Sequence, residues 1–287
     1  MSPIHLTECP RDAMQGIKAF IPTDEKVNYI NTLLKCGFDT LDFGSFVSAK
    51  AIPQMQDTAE VLKQLDLSNT NTELLSIVLN ERGAADALSF PEIAFLGMPF
   101  SISETFQQRN GNSSIDENLK RVEAIQNLSS KANRKLLIYI SMAFGNPYGD
   151  VWNTDIAIKW TEKISQMGIQ YIALADTVGT STPDSISYMF NALIPAFPAV
   201  EFGAHLHTTP DKWQEKIEAA WNSGVRRFEG ALKGYGGCPM ASDTLTGNMP
   251  TENIYSWLNS NGHSYNLNPN YFGEAMAIAN EVFTKYH

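Results

Sequence analysis

Eight short runs rich in β-branched and aromatic residues, each followed by a longer stretch of helical period, constrain this 287-residue chain more than any other feature. They are PIHLTE (3–8), FDTLDFG (38–44), LLSIVL (74–79), EIAFLG (92–97), LLIYISMAF (136–144), YIALADT (171–177), EFGAHLH (201–207) and RFEGAL (227–232). Between them lie amphipathic stretches. TDEKVNYINTLLKCG reads as a helix with Thr23 as its N-cap and Gly37 at its close; SIDENLKRVEAIQNLSSKAN carries Ser114 and Glu117 at capping-box spacing. Strand–helix pairs repeated eight times predict a single α/β domain over 1–287, a (β/α)8 TIM barrel with a C-terminal helical extension from about 253. No low-complexity or linker-like run interrupts the repeat.

Composition narrows the function. A net charge of -10 argues against nucleic acid or an anionic membrane as the main partner and favours a small-molecule enzyme. Cys9, Cys36 and Cys238 are odd in number and without paired spacing, which suits a reducing compartment. With no secretory leader and no long apolar run, a cytoplasmic protein is expected.

In such a barrel the chemistry sits at the carboxyl ends of the strands. Strand one leads into Arg11, Asp12 and Gln15, strand two carries Asp42, strand six ends on Asp176-Thr177, and strand seven brings His205 and His207. After strand eight comes KGYGGCPMASDTLTGN, with Cys238 and Asn248. Residues i and i+2 of a strand point the same way about 7 Å apart, so both imidazoles can converge on one ion. Asp12, His205, His207 and the Asn248 amide oxygen then form a mixed O/N set that suits Mg or Mn better than a thiolate-rich structural zinc. The plainer readings are a packed His pair, Asp42 as a strand-end turn residue, Asp176 as a helix-dipole partner, and Cys238 as a small buried hydrophobe.

PRDAMQ, GSFVSAKAIPQM, LADTVGTSTP, AHLHTT and GYGGCPMASDTLTGN together resemble the motifs of the 3-hydroxy-3-methylglutaryl-CoA lyase family, in order from Glu8 to about Glu252. The cysteine-bearing glycine loop and FVSxKxxPQM are specific to the lyase branch, whereas the Arg-Asp pair and HxH are shared across the metal-dependent superfamily. The resemblance implies retro-Claisen cleavage of 3-hydroxy-3-methylglutaryl-CoA to acetyl-CoA and acetoacetate, a divalent cation on Asp12, His205, His207 and Asn248, and a homodimer. It also implies that Arg11, Asp42, Asp176 and Cys238 serve the cleavage, with His205 at the reacting centre. An acyl-CoA substrate would be met by Gln15, Lys18, Ser45, Arg109 and Asn110; QQRNGNSS (107–114) is read either as a coenzyme A phosphate cradle or as a surface loop ending in a cap.

The chain departs from that pattern in places. Asp42 stands where the family usually has Glu, Thr208 replaces the acid of HDT, Lys233 sits among the glycines, and Ala49 and Ala51 replace a proline and a tryptophan. None is an implied metal ligand, so the reaction class is firmer than the substrate. Two alternatives stand beside the lyase: an acyl-CoA aldolase or condensing enzyme of the same superfamily, and a catalytically silent acyl-CoA-binding barrel.

Overall fold

The computed structural model describes residues 3–237 and 246–286. Eight parallel strands close a barrel: β1 (His5–Glu8), β2 (Thr40–Ser45), β3 (Glu73–Ile77), β4 (Ile93–Ser101), β5 (Lys135–Ser141), β6 (Tyr171–Ala175), β7 (Glu201–His205) and β9 (Arg227–Gly230), which pairs back onto β1. The barrel is the predicted (β/α)8 fold, and each of the eight sequence runs contains or overlaps its strand. A second, two-stranded antiparallel sheet of β8 (His207–Thr208) and β10 (Gly247–Asn248) sits at the strand ends and lies outside the simple repeat.

Helices α1 (Pro10–Gln15), α2 (Thr23–Leu34), α3 (Thr58–Leu62), α4 (Glu81–Leu88), α5 (Glu104–Gly111), α6 (Ile115–Lys131), α7 (Thr154–Gln166), α8 (Pro183–Ala196), α9 (Trp213–Asn222) and α10 (Thr251–Ser260) follow the strands, and α11 (Pro269–Tyr286) closes the chain. None is long and apolar enough to cross a membrane. Leu6, Leu41, Leu96, Ile138, Ile172 and Phe228 belong to the main core shared with the helices, because alternate strand residues face outward. The inward positions divide by chemistry. Leu75, Ile77, Phe95, Leu137 and Ala173 form an apolar half, while Thr7, Asp42, Arg227 and Glu229 are buried polar residues on the strands opposite. α11 packs on α2, with Phe283 edge-on to Tyr29 at 6.2 Å and Lys285 paired to Glu25 at 2.7 Å.

Three local expectations meet different outcomes. The Ser114–Glu117 capping box forms, each side chain accepting from the other's backbone N–H. Thr23 is not an N-cap: Pro22 occupies that position, and the Thr23 hydroxyl donates to Asp57 Oδ2 at 2.8 Å instead. QQRNGNSS is a loop only at its end: its first five residues complete α5, which is capped by Asn112 in the left-handed region (φ 47), and its last three end on Ser114, the N-cap of α6.

Glu8 ties the barrel floor of the site to the chain beyond β9. Its carboxyl accepts from the Leu232 N–H (2.9 Å) and the Thr251 hydroxyl (2.5 Å), and burial pushes its pKa up to about 8 against those bonds. The folded state therefore keeps a proton that the unfolded chain has lost above its ordinary carboxyl pKa, so stability falls as pH rises from about 4.5 towards 8. Glu8→Gln is expected to remove that decline, on the order of 1 kcal/mol per pH unit, and to raise the denaturation midpoint at pH 8 but not at pH 4. Parallel urea titrations at the two pH values check it.

Candidate active site

β1 delivers its chain into α1 with Pro10 at the first turn, which turns Arg11, Asp12 and Gln15 over the open end of the barrel. Arg11 lies between two carboxylates. Its Nε and NH2 groups donate to Asp42 (3.0 and 2.6 Å to Oδ2), and NH1 donates to Asp12 Oδ1 at 3.0 Å and to Gln15 Oε1 at 2.7 Å. Gln15 returns its amide to Asp12 Oδ1 at 2.8 Å. Asp42 is completely buried, and it clamps the guanidinium by a fork that fixes its plane. Burial and the neighbouring Asp12 and Glu229 charges push the Asp42 carboxyl up to about 6 even with Arg11 pulling it down. Asp12 goes the other way. Burial raises it, but Arg11, His205, His207 and the Asn248 hydrogen bond together hold it at about 2.

His205 ends β7 and His207 opens β8, their rings 5.4 Å apart. One strand therefore does not carry both; the break between them allows His207 to pair with Asn248 across the β8–β10 ladder. Asn248 Nδ2 donates to Asp12 Oδ2 at 2.8 Å and to the Tyr235 carbonyl at 2.8 Å. Ligation through the amide oxygen requires that side chain to turn over, a flip that exchanges near-identical atoms.

Asp12, His205 and His207 bring one donor atom each within 4.8 Å of one another, a group that could hold a metal ion. Among the described residues, neither nitrogen of the buried His207 ring has a hydrogen-bond partner. A buried imidazole without a protein partner at either nitrogen is costly unless something accepts its lone pair, so the donor set fits a cation. Burial and the charge on His205 push His207 down to about 4, which leaves it neutral and ready to donate electrons. His205 differs. Burial lowers its pKa, but the Glu229 hydrogen bond (Nδ1 to Oε2, 3.0 Å) and the Glu229 and Asp12 charges raise it above the ordinary value overall. Glu229 sets the tautomer that leaves Nε2 for Asp12's side of the ring, as outer partners of metal-binding histidines commonly do. Sequence reasoning missed Glu229; its signal was an acid in RFEGAL, a run otherwise suited to burial on both faces.

A cavity of about 350 Å³ opens above these groups, lined on one side by Arg11, Asp12, Gln15, His205 and His207. Apolar side chains, among them Val47, Ile52, Leu79 and Phe106, form the facing wall. Gly237 also lines it, and Gly236 (φ +84) lies so close to α1 that a Cβ would stand 2.6 Å from the Asp12 carbonyl oxygen. Cys238 lies outside the described residues.

The remaining sequence-derived residues are placed unequally. Asp176 is buried but turned to structure: it accepts from Ser181 Oγ (2.5 Å), the Ser181 N–H (3.0 Å) and Lys216 Nζ (2.9 Å). Ser45 spends its hydroxyl on the Val47 amide and the Ile77 carbonyl. Asn110 lines the cavity from α5. Arg109 is exposed on the same helix with its guanidinium 4.7 Å over the Tyr148 ring, and Lys18 is exposed beyond α1. At the start of α6, Glu104 takes the Ile115 N–H and Ser114 takes that of Glu117.

Comparison with known proteins identifies the family. The HMGL-like family model matches residues 4–281. The chain is 33% identical over 245 residues to the hydroxymethylglutaryl-CoA lyase YngG of Bacillus subtilis, covering 85% of this chain and 81% of that one. The mitochondrial hydroxymethylglutaryl-CoA lyase of Bos taurus is 33% identical over 246 residues, covering 85% and 74%. Among solved structures, the HMG-CoA lyase of Brucella melitensis superposes with a TM-score of 0.91 at 26% identity over 98% of this chain and 99% of that one. An HMG-CoA lyase from Acinetobacter baumannii, in complex with coenzyme A and 3-methylmalate, gives 0.89 at 25% identity over 98% and 92%. Matched over nearly its whole length in sequence and in fold, the chain belongs to the HMGL-like family of carbon–carbon lyases.

Proposed function

We propose that the protein is a divalent-cation-dependent lyase that cleaves 3-hydroxy-3-methylglutaryl-CoA into acetyl-CoA and acetoacetate. The observation that carries this reading is the convergence of Asp12, His205 and His207 beside the Arg11–Asp42 fork at the carboxyl end of the barrel. The names of the relatives support the substrate, and the coenzyme A complex of one structural neighbour supports an acyl-CoA.

Retro-Claisen cleavage must take a proton from the C3 hydroxyl and hold the charge that appears on the departing thioester enolate. Asp12, His205 and His207, with Asn248 after its amide turns, would hold Mg or Mn, which when bound supplies Lewis acidity towards the substrate's hydroxyl and carboxylate oxygens. Arg11 presents fixed positive charge to the enolate oxygen. Asp42 orients that guanidinium and cannot leave it without stranding a buried charge. The apolar wall excludes water from the acyl chain, and Asn110 offers an amide on that side. Cys238 delivers the proton that turns the enolate into acetyl-CoA. Asp176, saturated by Ser181 and Lys216, supports the loop rather than carrying a proton. The chain works as a homodimer in the cytoplasm.

The deciding experiment incubates the Mg- or Mn-loaded protein with 3-hydroxy-3-methylglutaryl-CoA and close acyl-CoA analogues and reads acetyl-CoA and acetoacetate. Release of free coenzyme A from acetyl-CoA and a keto acid, the thioester being hydrolysed as the carbon–carbon bond forms, with no cleavage of any 3-hydroxyacyl-CoA, would favour the synthase alternative.

Lys233 does not rival the cation as an electron sink. It is exposed in a short turn after β9, with φ 66, so its ammonium is not desolvated as a Schiff-base amine must be. Borohydride added during turnover is expected to trap no substrate on the protein, and Lys233→Met to keep kcat within about threefold of wild type. Mass spectrometry of the reduced protein checks the first and steady-state kinetics the second.

A further inference from the structure

The two histidines of the site are held in different ways. His205 has Glu229 on its second ring nitrogen. Among the described residues His207 has no partner on either nitrogen, so none of them fixes the direction of its ring by a hydrogen bond. Its backbone is fixed instead, and a buried charge does part of that work. Lys216, on the inner face of α9 and 2% exposed, donates to the His207 carbonyl at 2.7 Å, to Asp176 Oδ2 at 2.9 Å and to the Gly179 carbonyl at 3.4 Å. One ammonium thus joins the loop after β6 to the chain just beyond β7.

The arrangement is costly and therefore informative. Burying an ammonium and a carboxylate together stabilises little by itself, and a well-packed apolar pair would serve stability as well. What the pair supplies is direction: a short, charge-assisted bond to one chosen carbonyl. Swinging that carbonyl away would turn the His207 Cα and carry the ring out of reach of Asp12 and His205. We propose that Lys216 is a positioning residue for His207, doing through the main chain what Glu229 does for His205 through the ring. The role in cation binding rests on the functional reading above; the effect on the His207 ring does not.

The test measures Mn²⁺ binding by the EPR signal of the free ion, alongside circular dichroism, in wild type, Lys216→Met and Ile217→Ala. Ile217 is fully buried on the same helix, so its truncation loosens the packing without touching the carbonyl. Lys216→Met is expected to weaken Mn²⁺ binding by about tenfold or more, the loss common for outer-shell partners, while Ile217→Ala stays within about twofold of wild type. Equal losses in the two variants would reduce Lys216 to ordinary packing and overturn the proposal. Should Lys216→Met fail to fold, Lys216→Gln, too short to reach the same oxygens, is read in the same way. A second measurement needs no metal. In histidine-labelled, metal-free protein, the His207 ring resonances are expected to shift or broaden in the Lys216 variant and to hold in Ile217→Ala. If wild type fails to bind Mn²⁺, the cation reading falls, and the resonances alone decide Lys216. Unmoved His207 signals in the Lys216 variant would overturn it in either case.

Discussion

Arg11→Met is expected to lower kcat by about two to three orders of magnitude while KM and Mn²⁺ affinity change only a few-fold. The guanidinium is buried and planar, and Asp42, Asp12 and Gln15 take most of its donors, so its position is set before substrate arrives. Charge placed in advance, in a pocket of low dielectric, stabilises an oxyanion without reorganisation. The enolate oxygen gains its charge only as the carbon–carbon bond breaks, so the loss falls on kcat. Stability should fall as well. Without Arg11, Asp42 keeps its burial and loses its counter-charge; already at about 6, it will hold a proton across the neutral range. Arg11→Lys separates the two effects, because a lysine restores the charge but not the fork. Its stability is expected to recover further than its kcat. Steady-state kinetics and thermal unfolding on the same preparations measure both, and an Arg11→Met enzyme within tenfold of wild-type kcat would remove Arg11 from the chemistry.

The barrel was legible because parallel strands buried on both faces must be written as β-branched and aromatic runs, and the turns after them must be written in glycine and caps. Asp12, His205 and His207 were legible as candidates because polar residues at such strand ends have few other reasons to be there. Their partners were not. Glu229 reaches His205 only through the β7–β9 register, which sets the two residues side by side across 24 positions of sequence. The β8–β10 ladder is two residues long on each side, below the length at which alternation can be read. Lys216 reads as one solvated lysine in WQEKIEAAW, although its place three after Trp213 and four before Ala220 sets it on the buried face. Residues 107–111 of the segment read as a cradle or a capped surface loop lie in α5 instead, because Arg-Asn-Gly resembles a turn and the helix there ends on the turn rather than before it. Thr23 has the chemistry of a cap, but Asp57, 34 residues away, competes for its hydroxyl.

Stripping divalent ions is expected to reduce cleavage by about a thousandfold or more, with Mn²⁺ or Mg²⁺ restoring it in wild type and not in Asp12→Ala. Asp12 offers the only carboxylate of the ligand group, and at about 2 it stays ionised at any working pH. His207, at about 4, stays neutral over the same range. His205 is the ligand that must lose a proton, since Glu229 raises its pKa above the ordinary histidine value. The sign follows. Lowering the pH through the His205 pKa protonates a ligand, so the Mn²⁺ concentration for half-maximal activity should rise as pH falls, and binding near neutrality should release protons. Glu229→Gln removes the charge that holds that proton, so it should flatten this pH dependence while loosening the ring and weakening affinity about tenfold. Calorimetry of Mn²⁺ binding in two buffers of different ionisation enthalpy counts the protons, and titrations of activity against Mn²⁺ at several pH values give the slope. Full turnover in a verified metal-free preparation would show that Arg11 and the protein's own groups carry the reaction unaided.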